Sequence, residues 1–390
     1  MSGAALELSA GPWGNGGVCA SRLEGAPVVL VAGAIPGERV AVEVTERRPR
    51  YWRGRVVEVL EASPSRVAPP WPEGAALGAA DLGHVAPEAA RAAKAEVAAG
   101  LLRHLAGCQA ALAVAPVGDG AQLGWRTKIE LAVDAQGRAG MRPARSHQVQ
   151  PLAQMPLAVG AIGQLGIFQR RWPPGARLAA VAASDGEAFC LVDGQPADQR
   201  RFERVVAGGR EHRFELAGDG FWQLHRQAPA LLAEVVLAAL ADPAGARVWD
   251  LYAGAGLFAL PLAAAGAQVT AVERDAQAVA DLRANAWAAG LRLGGAHRAA
   301  VAAALRRGIG GGRPDAVVLD PPRAGAGLEV ARLVAAARPV RVVYVSCEPA
   351  ALARDLAEFQ RGGYQLAGLR GFDLFPGTHH TELVAVLDRA

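Results

Sequence analysis

Cys347 raises the first chemical question in this chain. It follows the apolar run 342–345 in "VVYVSCEPAALARDL" and precedes a helical pattern with Pro349 near its first turn. A cysteine between strand and helix lies at a strand's carboxyl end and at a helix N-terminus. Backbone N–H groups there favour a thiolate, and hence a nucleophile. The commoner fate of a free cysteine is to be a small buried hydrophobe. Two other stretches favour the reactive reading. "PDAVVLDPPRAG" (314–325) ends an apolar run in Asp320, and its prolines hold the next loop rigid. "FDLFPGTHHTELVAVL" (372–387) offers His379, His380 and Glu382 just ahead of a last apolar run.

A glycine turn supplies the reagent. In "ARVWDLYAGAGLFALPLAAAGAQVTAVERD" (246–275) a strand meets Gly254 and Gly256, then a helix, then a strand ending in Glu273. An acid about 20 residues after the first glycine suits ribose hydroxyls. The run 254–259 also satisfies the dinucleotide fingerprint, which is weak alone. Asp250 argues against a dinucleotide, because a strand-end carboxylate repels a pyrophosphate. S-adenosylmethionine carries a sulfonium and an ammonium instead, which an acidic strand end attracts.

A methyl donor beside a thiolate points to one reaction class. Carbon 5 of a uracil is too weak a nucleophile to attack a sulfonium unaided. Thiolate addition at carbon 6 makes carbon 5 enolate-like. The proton on carbon 5 must then leave, so a base is needed, and Glu382 is the candidate.

These residues need a frame. At 390 residues, 52 % apolar and 20 % charged, the chain has the composition of two or three folded domains. From about residue 217, strands alternate with helices, which predicts a doubly wound α/β sheet. Such sheets bind ligands at the carboxyl ends of their strands, where Gly254, Asp320 and Cys347 would meet. Residues 1–62 read as short strands forming a small barrel. Its loop "ERRPRYWRGR" interleaves Arg47, Arg48, Arg50, Arg53 and Arg55 with Tyr51 and Trp52. That composition suits single-stranded nucleic acid, or else an exposed charged hairpin tip. Residues 63–88 hold five prolines and read as a linker or an irregular lobe. A helix is expected over "PEAARAAKAEVAAGLLRHLAG", stopped by Gly107. Strands are expected at "TKIELAVD", "RLAAVAAS" and "AFCLVDG" within a mixed α+β segment, 63–216.

The net charge of +4 permits a polyanionic partner without demanding one. No signal-peptide pattern and no run long enough to span a bilayer is present, so a cytoplasmic protein is expected. The four scattered cysteines fit a reducing compartment and leave no metal-ligand spacing.

Taken in order, "GAIPGERVAVEV", "FWQLH", "DLYAGAGLFALPLA", "LDPPRAG", "SCEPAALARDL" and "FPGTHHTELVAVL" give the chain a resemblance that covers nearly its whole length. It resembles the RNA uracil-5 methyltransferases with an N-terminal TRAM domain. The resemblance implies a Rossmann-like class I methyltransferase domain (217–390), an OB-like TRAM barrel (1–62) and a mixed central domain (63–216). It implies Cys347 as nucleophile and Glu382 as proton acceptor. Gln223, Tyr252, Gly254, Gly256, Glu273 and Asp320 would line the pocket for donor and base. It implies S-adenosyl-L-methionine as donor and structured RNA as partner, ribosomal before transfer RNA, acted on by a monomer. The target uridine would leave its stack to reach the thiol.

Departures from the family pattern are as informative. Many members carry an iron–sulfur cluster on Cys-x5-Cys-x2-Cys and a fourth cysteine after an "RSH" segment. Here Trp71, Leu77, Ala80 and Met155 occupy those places, so no cluster is expected and apolar packing should take its structural role. Leu257 stands where an asparagine often helps hold the donor, and Ala299 lies where a side chain would reach the adenine. Glu348 replaces a common asparagine after Cys347. Two other readings stay open: an RNA-binding or RNA-folding factor with a vestigial methyltransferase fold, and a nicotinamide-dependent oxidoreductase. The second leaves Cys347 and Glu382 without a role.

Overall fold

A computed structural model describes residues 5–390 except 24, 26, 144–145 and 310–311. Arg145 of the "RSH" segment therefore lies outside the described residues.

The N-terminal strands form a six-stranded sheet in the order Leu6–Ser9, Arg39–Arg47, Tyr51–Glu61, Val28–Ala32, Val18–Ser21, Trp13–Gly14. Alternate residues Leu8, Cys19, Val29, Val31, Val40 and Val42 point inward and form its core. Three register shifts between the two longest strands bend the sheet into a barrel-like shape. The arginine-rich stretch is the exposed charged hairpin tip of the second reading, turning through residues 48–50 with Arg48 N bonded to the Tyr51 carbonyl. Its flanks are paired strands, with Arg47 opposite Trp52 and Glu46 opposite Arg53.

Residues 63–86 are an ordered lobe, not a linker. Arg66 pairs with Val85 across an isolated bridge, and Pro72–Ala76 form a short helix. Arg66 also donates to both carboxylate oxygens of buried Glu38, at 2.6 Å each, which stitches the lobe to the barrel. The helix Pro87–Ala106 follows and ends at Gly107, whose φ of +63° is the left-handed stop expected from the sequence.

The expected central strands appear as Lys128–Val133, Arg177–Ala182 and Ala188–Val192, joined with Ala139–Met141 and Gln150–Pro151 in one antiparallel sheet. The hairpin Arg200–Ala207/Arg210–Ala217 adds to those expectations; its alternating "RRFERVVA" is a period-2 pattern.

The C-terminal sheet has eight strands in the order Gly295–Arg298, Gln268–Glu273, Arg247–Leu251, Ala316–Leu319, Arg341–Ser346, Glu382–Arg389, Tyr364–Asp373, Val114–Pro116. The first five are parallel, and Glu382–Arg389 runs antiparallel to both neighbours. Successive strand residues alternate between two cores. Val248, Val318, Val343 and Val345 belong to one face, and Trp249, Val317, Val342 and Tyr344 to the other. Both faces are covered, as apolar parallel strands require. The chain runs outward from Arg247–Leu251 to Gln268–Glu273, then returns to add Ala316–Leu319 on the other side. That reversal opens a crevice at the carboxyl ends of these strands.

Candidate active site

Sheet register brings the chemistry together. Asp320, Cys347 and Glu382 lie one residue beyond or at the start of three adjacent strands. Ser346 pairs with Leu383, so the next step of the same antiparallel register sets Cys347 across from Glu382. Residues opposed in this way have Cβ atoms about 4.5–5.5 Å apart. Leu319 pairs with Leu251 and with Tyr344, which places Asp320 beside Tyr252 and on the same edge as Cys347. Gln223 enters from the middle of the chain and donates its amide to Asp320 Oδ2 at 3.3 Å. Its backbone carbonyl accepts from the Thr127 hydroxyl.

The glycine turn leaves the strand as expected. Tyr252, Gly254 and Gly256 have φ of +68°, +53° and +102°. Tyr252 is a non-glycine in that region, a conformation costing of order 1–3 kcal/mol that the surroundings must hold. Its hydroxyl reaches the Ala326 carbonyl at 3.4 Å. At Gly256 a Cβ would stand 2.6 Å from Leu260 Cδ1, so Leu260 would have to move, and the φ of +102° itself favours glycine. Glu273 accepts from Gly254 N at 3.1 Å through one oxygen, and from Arg274 N and Asp275 N through the other. It thus braces the turn. Leu257 is buried and packs in the core, so it presents no polar group to a ligand.

Asp250 corrects one expectation. It does not face the crevice as a strand-end carboxylate. It is the fourth residue of Arg247–Leu251 and fully buried, and neither carboxyl oxygen has a well-formed hydrogen bond; the Ala259 backbone is what favours its charged form. Burial, then the nearby Asp320, push it up to about 8. The acids that remain at the crevice are Asp320 and Glu273. That suits a cationic methyl donor and opposes a pyrophosphate.

The state of Cys347 is a second correction. The helix Pro349–Arg361 does start beside it, but Glu348 caps that helix, accepting from Ala350 N. The thiol is half-buried and pushed up to about 12, first by desolvation, then by Glu382 and Asp320; the Arg323 guanidinium opposes this. A helix end contributes about 0.3–1 kcal/mol, too little to reverse the effect of burial. The free protein therefore holds a neutral thiol. Burial also pushes Asp320 up to about 7 and Glu382 well above the carboxylate range, with Asp320 pushing Glu382 further the same way.

His380 accepts at Nε2 from the Arg323 guanidinium at 3.1 Å, and is pushed down to about 3 by burial, His379 and Arg323. It is neutral and fixes Arg323 near Cys347. Sequence reasoning gave no role to Arg323, nor to Asp355, which accepts from Ala326 N, Gly327 N and the Tyr344 hydroxyl. Asp355 ties the helix after Cys347 to the loop after Asp320. Its only sequence signal was an acid on the buried face of an amphipathic helix.

The four positions where cysteines were missing converge. Trp71, Leu77 and Ala80 are buried in one apolar cluster with Trp125 and Leu157, and Met155 packs against it. Cys108, elsewhere, accepts from Gln360, and Cys190 packs against the core of the central sheet.

Comparison with known proteins agrees with this geometry. The family model of tRNA (uracil-5-)-methyltransferases matches residues 313–390. An uncharacterized RNA methyltransferase of Streptomyces avermitilis is 37 % identical, covering 100 % of this chain and 99 % of its own. The 23S rRNA (uracil(1939)-C(5))-methyltransferase of Alkalilimnicola ehrlichii is 34 % identical over 93 % of this chain and 92 % of its own. The fold resembles that of the Pyrococcus abyssi tRNA (uracil-54, C5)-methyltransferase solved with S-adenosyl-L-homocysteine, at TM-score 0.70 and 20 % identity, covering 97 % of this chain and 99 % of that one. With a class I S-adenosylmethionine-dependent methyltransferase fold and relatives matched end to end, the chain is an enzyme that belongs to the RNA (uracil-5-)-methyltransferase family.

Proposed function

We propose that this enzyme methylates carbon 5 of a uridine in 23S ribosomal RNA, with Cys347 as nucleophile and Glu382 as base. The observation that carries the reading is the register that sets Cys347 across from Glu382 at the mouth of the crevice, beside Asp320. The choice of ribosomal RNA follows the relatives of Alkalilimnicola ehrlichii and Halomonas elongata, both 34 % identical and both named for uracil 1939 of 23S rRNA.

Bound S-adenosylmethionine supplies an electrophilic methyl group on a sulfonium. Gln223, Tyr252, Gly254, Gly256, Glu273 and Asp320 would hold it and the uracil. Its positive charge entering the crevice lowers the proton affinity of Cys347, Asp320 and Glu382 together, because each is raised by burial or by its acidic neighbours. Cys347 would give up its proton to solvent and its sulfur would bond to carbon 6, moving the ring's π electrons onto carbon 5. Carbon 5 would then take the methyl group as the donor's sulfur–methyl bond breaks, leaving S-adenosylhomocysteine. Glu382 removes the carbon 5 proton, the ring double bond re-forms and the Cys347 thiolate is expelled. A base with a raised proton affinity suits this last step. Asp320, held by Gln223, orients the uracil edge or the donor.

The N-terminal barrel would act as a TRAM domain gripping RNA. Arg47 lies over Trp52 at 4.5 Å and Arg53 over Tyr51 at 5.4 Å, so each ring has one cation-covered face. Part of the positive charge is spent on Glu43 and Glu46. The division into a barrel (1–62), a central unit (63–216) and a methyltransferase unit (217–390), action in the cytoplasm and a monomeric state belong to the same reading.

The test is mass spectrometry of the enzyme with S-adenosylmethionine and RNA carrying 5-fluorouridine. Fluorine cannot leave as a cation, so the enzyme should stop as a methylated Cys347–RNA adduct. A stable adduct at Cys347, absent in Cys347→Ala, is expected, and its RNA fragment names the uridine. No adduct with any ribosomal RNA fragment, despite donor binding, would overturn the mechanism.

A further inference from the structure

The loop 374–381 joins the strands Tyr364–Asp373 and Glu382–Arg389 and delivers Glu382 to the crevice. It contains a proline and Gly377 at φ +75°, and has no regular structure of its own. Fixing such a segment costs about 1–2 kcal/mol per residue, so something outside must hold it.

Two anchors do. One is Lys94 of the helix Pro87–Ala106, which donates to Asp373 Oδ1 at 2.6 Å and to the Phe375 carbonyl at 3.1 Å. The other is Asp81 with its neighbour Leu82. Leu82 N donates to the Gly377 carbonyl at 2.9 Å, His379 N donates to Asp81 Oδ1 at 3.0 Å, and Asp81 Oδ2 bonds to His379 Nδ1. The second anchor grips backbone and side chain of the same residue, three positions before Glu382. It is backed on two sides. Asp81 directly follows Ala80, which is packed in the apolar cluster with Trp71 and Leu77. Gly17 of the barrel lies against the pair, so that a Cβ there would stand 3.0 Å from His379 Cβ and 3.1 Å from Asp81 Oδ2.

We propose that Asp81 is a positioning residue for proton removal: through His379 it sets the place of Glu382. This rests on Glu382 being the base. A catalytic group must be held within about 0.5 Å, and a 1 Å misplacement costs roughly 100-fold. His380 packs on the His379 ring at 4.1 Å, but it is also held by Thr378, by edge contact with Phe375 and by the Arg323 guanidinium, and Phe375 is fixed by Lys94, so the Arg323 side of the crevice keeps most of its geometry when Asp81 is lost.

The experiment separates the two halves of the reaction in the full-length enzyme. Adduct formation on 5-fluorouridine RNA reads the steps before proton removal. Tritium release from RNA labelled at carbon 5 of uridine reads proton removal itself. For Asp81→Ala the expected result is tritium release slowed about 10- to 100-fold, with the adduct rate and RNA affinity within about threefold of wild type. Asp81→Asn keeps the acceptor for His379 N and should recover most of the rate. Should Asp81→Ala not fold, His379→Ala carries the same expectation. Tritium release at the wild-type rate in Asp81→Ala or His379→Ala, or an equal loss of both signals there, would overturn the proposal. A wild-type enzyme that gives neither signal would overturn the uracil mechanism itself, and the positioning role with it.

Discussion

Replacing Asp250 by asparagine should make the protein more stable, and increasingly so as the pH rises. Asp250 is fully buried with no well-formed hydrogen bond; the Ala259 backbone offsets only part of the desolvation, and the group is pushed from an ordinary 3.8 up to about 8. A tenfold change in proton affinity is worth roughly 1.4 kcal/mol, so a change of about four powers of ten sets a ceiling of about 6 kcal/mol. Local relaxation reduces such a cost, and about half, ~3 kcal/mol, is a workable figure. The folded state keeps its proton to higher pH than the unfolded state does. Stability from this group is therefore full below about pH 4 and is lost as pH climbs through about 8. Asparagine does not titrate, so its advantage over aspartate grows between those limits and is flat above them. About a quarter of the effect is already present at pH 5, leaving ~2 kcal/mol between pH 5 and pH 9. For a domain of this size that is roughly 4–8 °C in midpoint. The assay is thermal unfolding of both proteins at pH 5, 7 and 9. The asparagine amide has unmet hydrogen bonds of its own, which adds an offset independent of pH, so the slope carries the test. A midpoint difference that stays constant or shrinks with rising pH would refute the placement of a strained, buried carboxyl under the glycine turn.

Other consequences follow from the site. Glu382→Gln should accumulate the Cys347–RNA adduct on ordinary uridine RNA and lower turnover about 10²- to 10⁴-fold, read by gel shift and methyl incorporation. Donor binding should release protons near neutral pH, since Asp320 at about 7 and the raised Glu382 both ionise more readily beside a cation; calorimetry in two buffers of different ionisation heat measures this, and proton uptake would contradict it. Gly256→Ala puts a Cβ into Leu260 at φ +102° and should cost about 1–3 kcal/mol in stability or donor affinity. Trp52→Ala should weaken RNA binding by about 1–3 kcal/mol and leave donor binding unchanged.

The clearest parts of this enzyme in sequence are those where one local pattern has one physical outcome. Strand, glycine turn, helix and acid over 246–275 fold as read, because φ above zero at Gly254 and Gly256 leaves the backbone little choice. Pro87 at the start and Gly107 at the stop bound a long helix for the same reason. The strand ends that carry Asp320, Cys347 and Glu382 were legible because apolar runs stop abruptly at them. The hairpin 200–217 was readable in its alternation, but charged residues on one face hid it.

What remained illegible depends on residues far apart in the chain. Sequence alone determined which groups are present: a thiol at a strand end, acids on neighbouring strands, a glycine turn, and apolar residues in place of four cysteines. Only the tertiary structure decided their states and partners. A helix N-terminus predicts a thiolate for Cys347, yet desolvation and two carboxyls contributed by other strands make it a thiol. Asp250 reads as a crevice carboxylate, yet the pleat turns it into the core. Asp81 reads as one acid in a proline-rich stretch, yet it meets His379 across 298 positions. Residue type is local information. Solvation, charge pairing and reach come from whichever segments the fold sets against each residue.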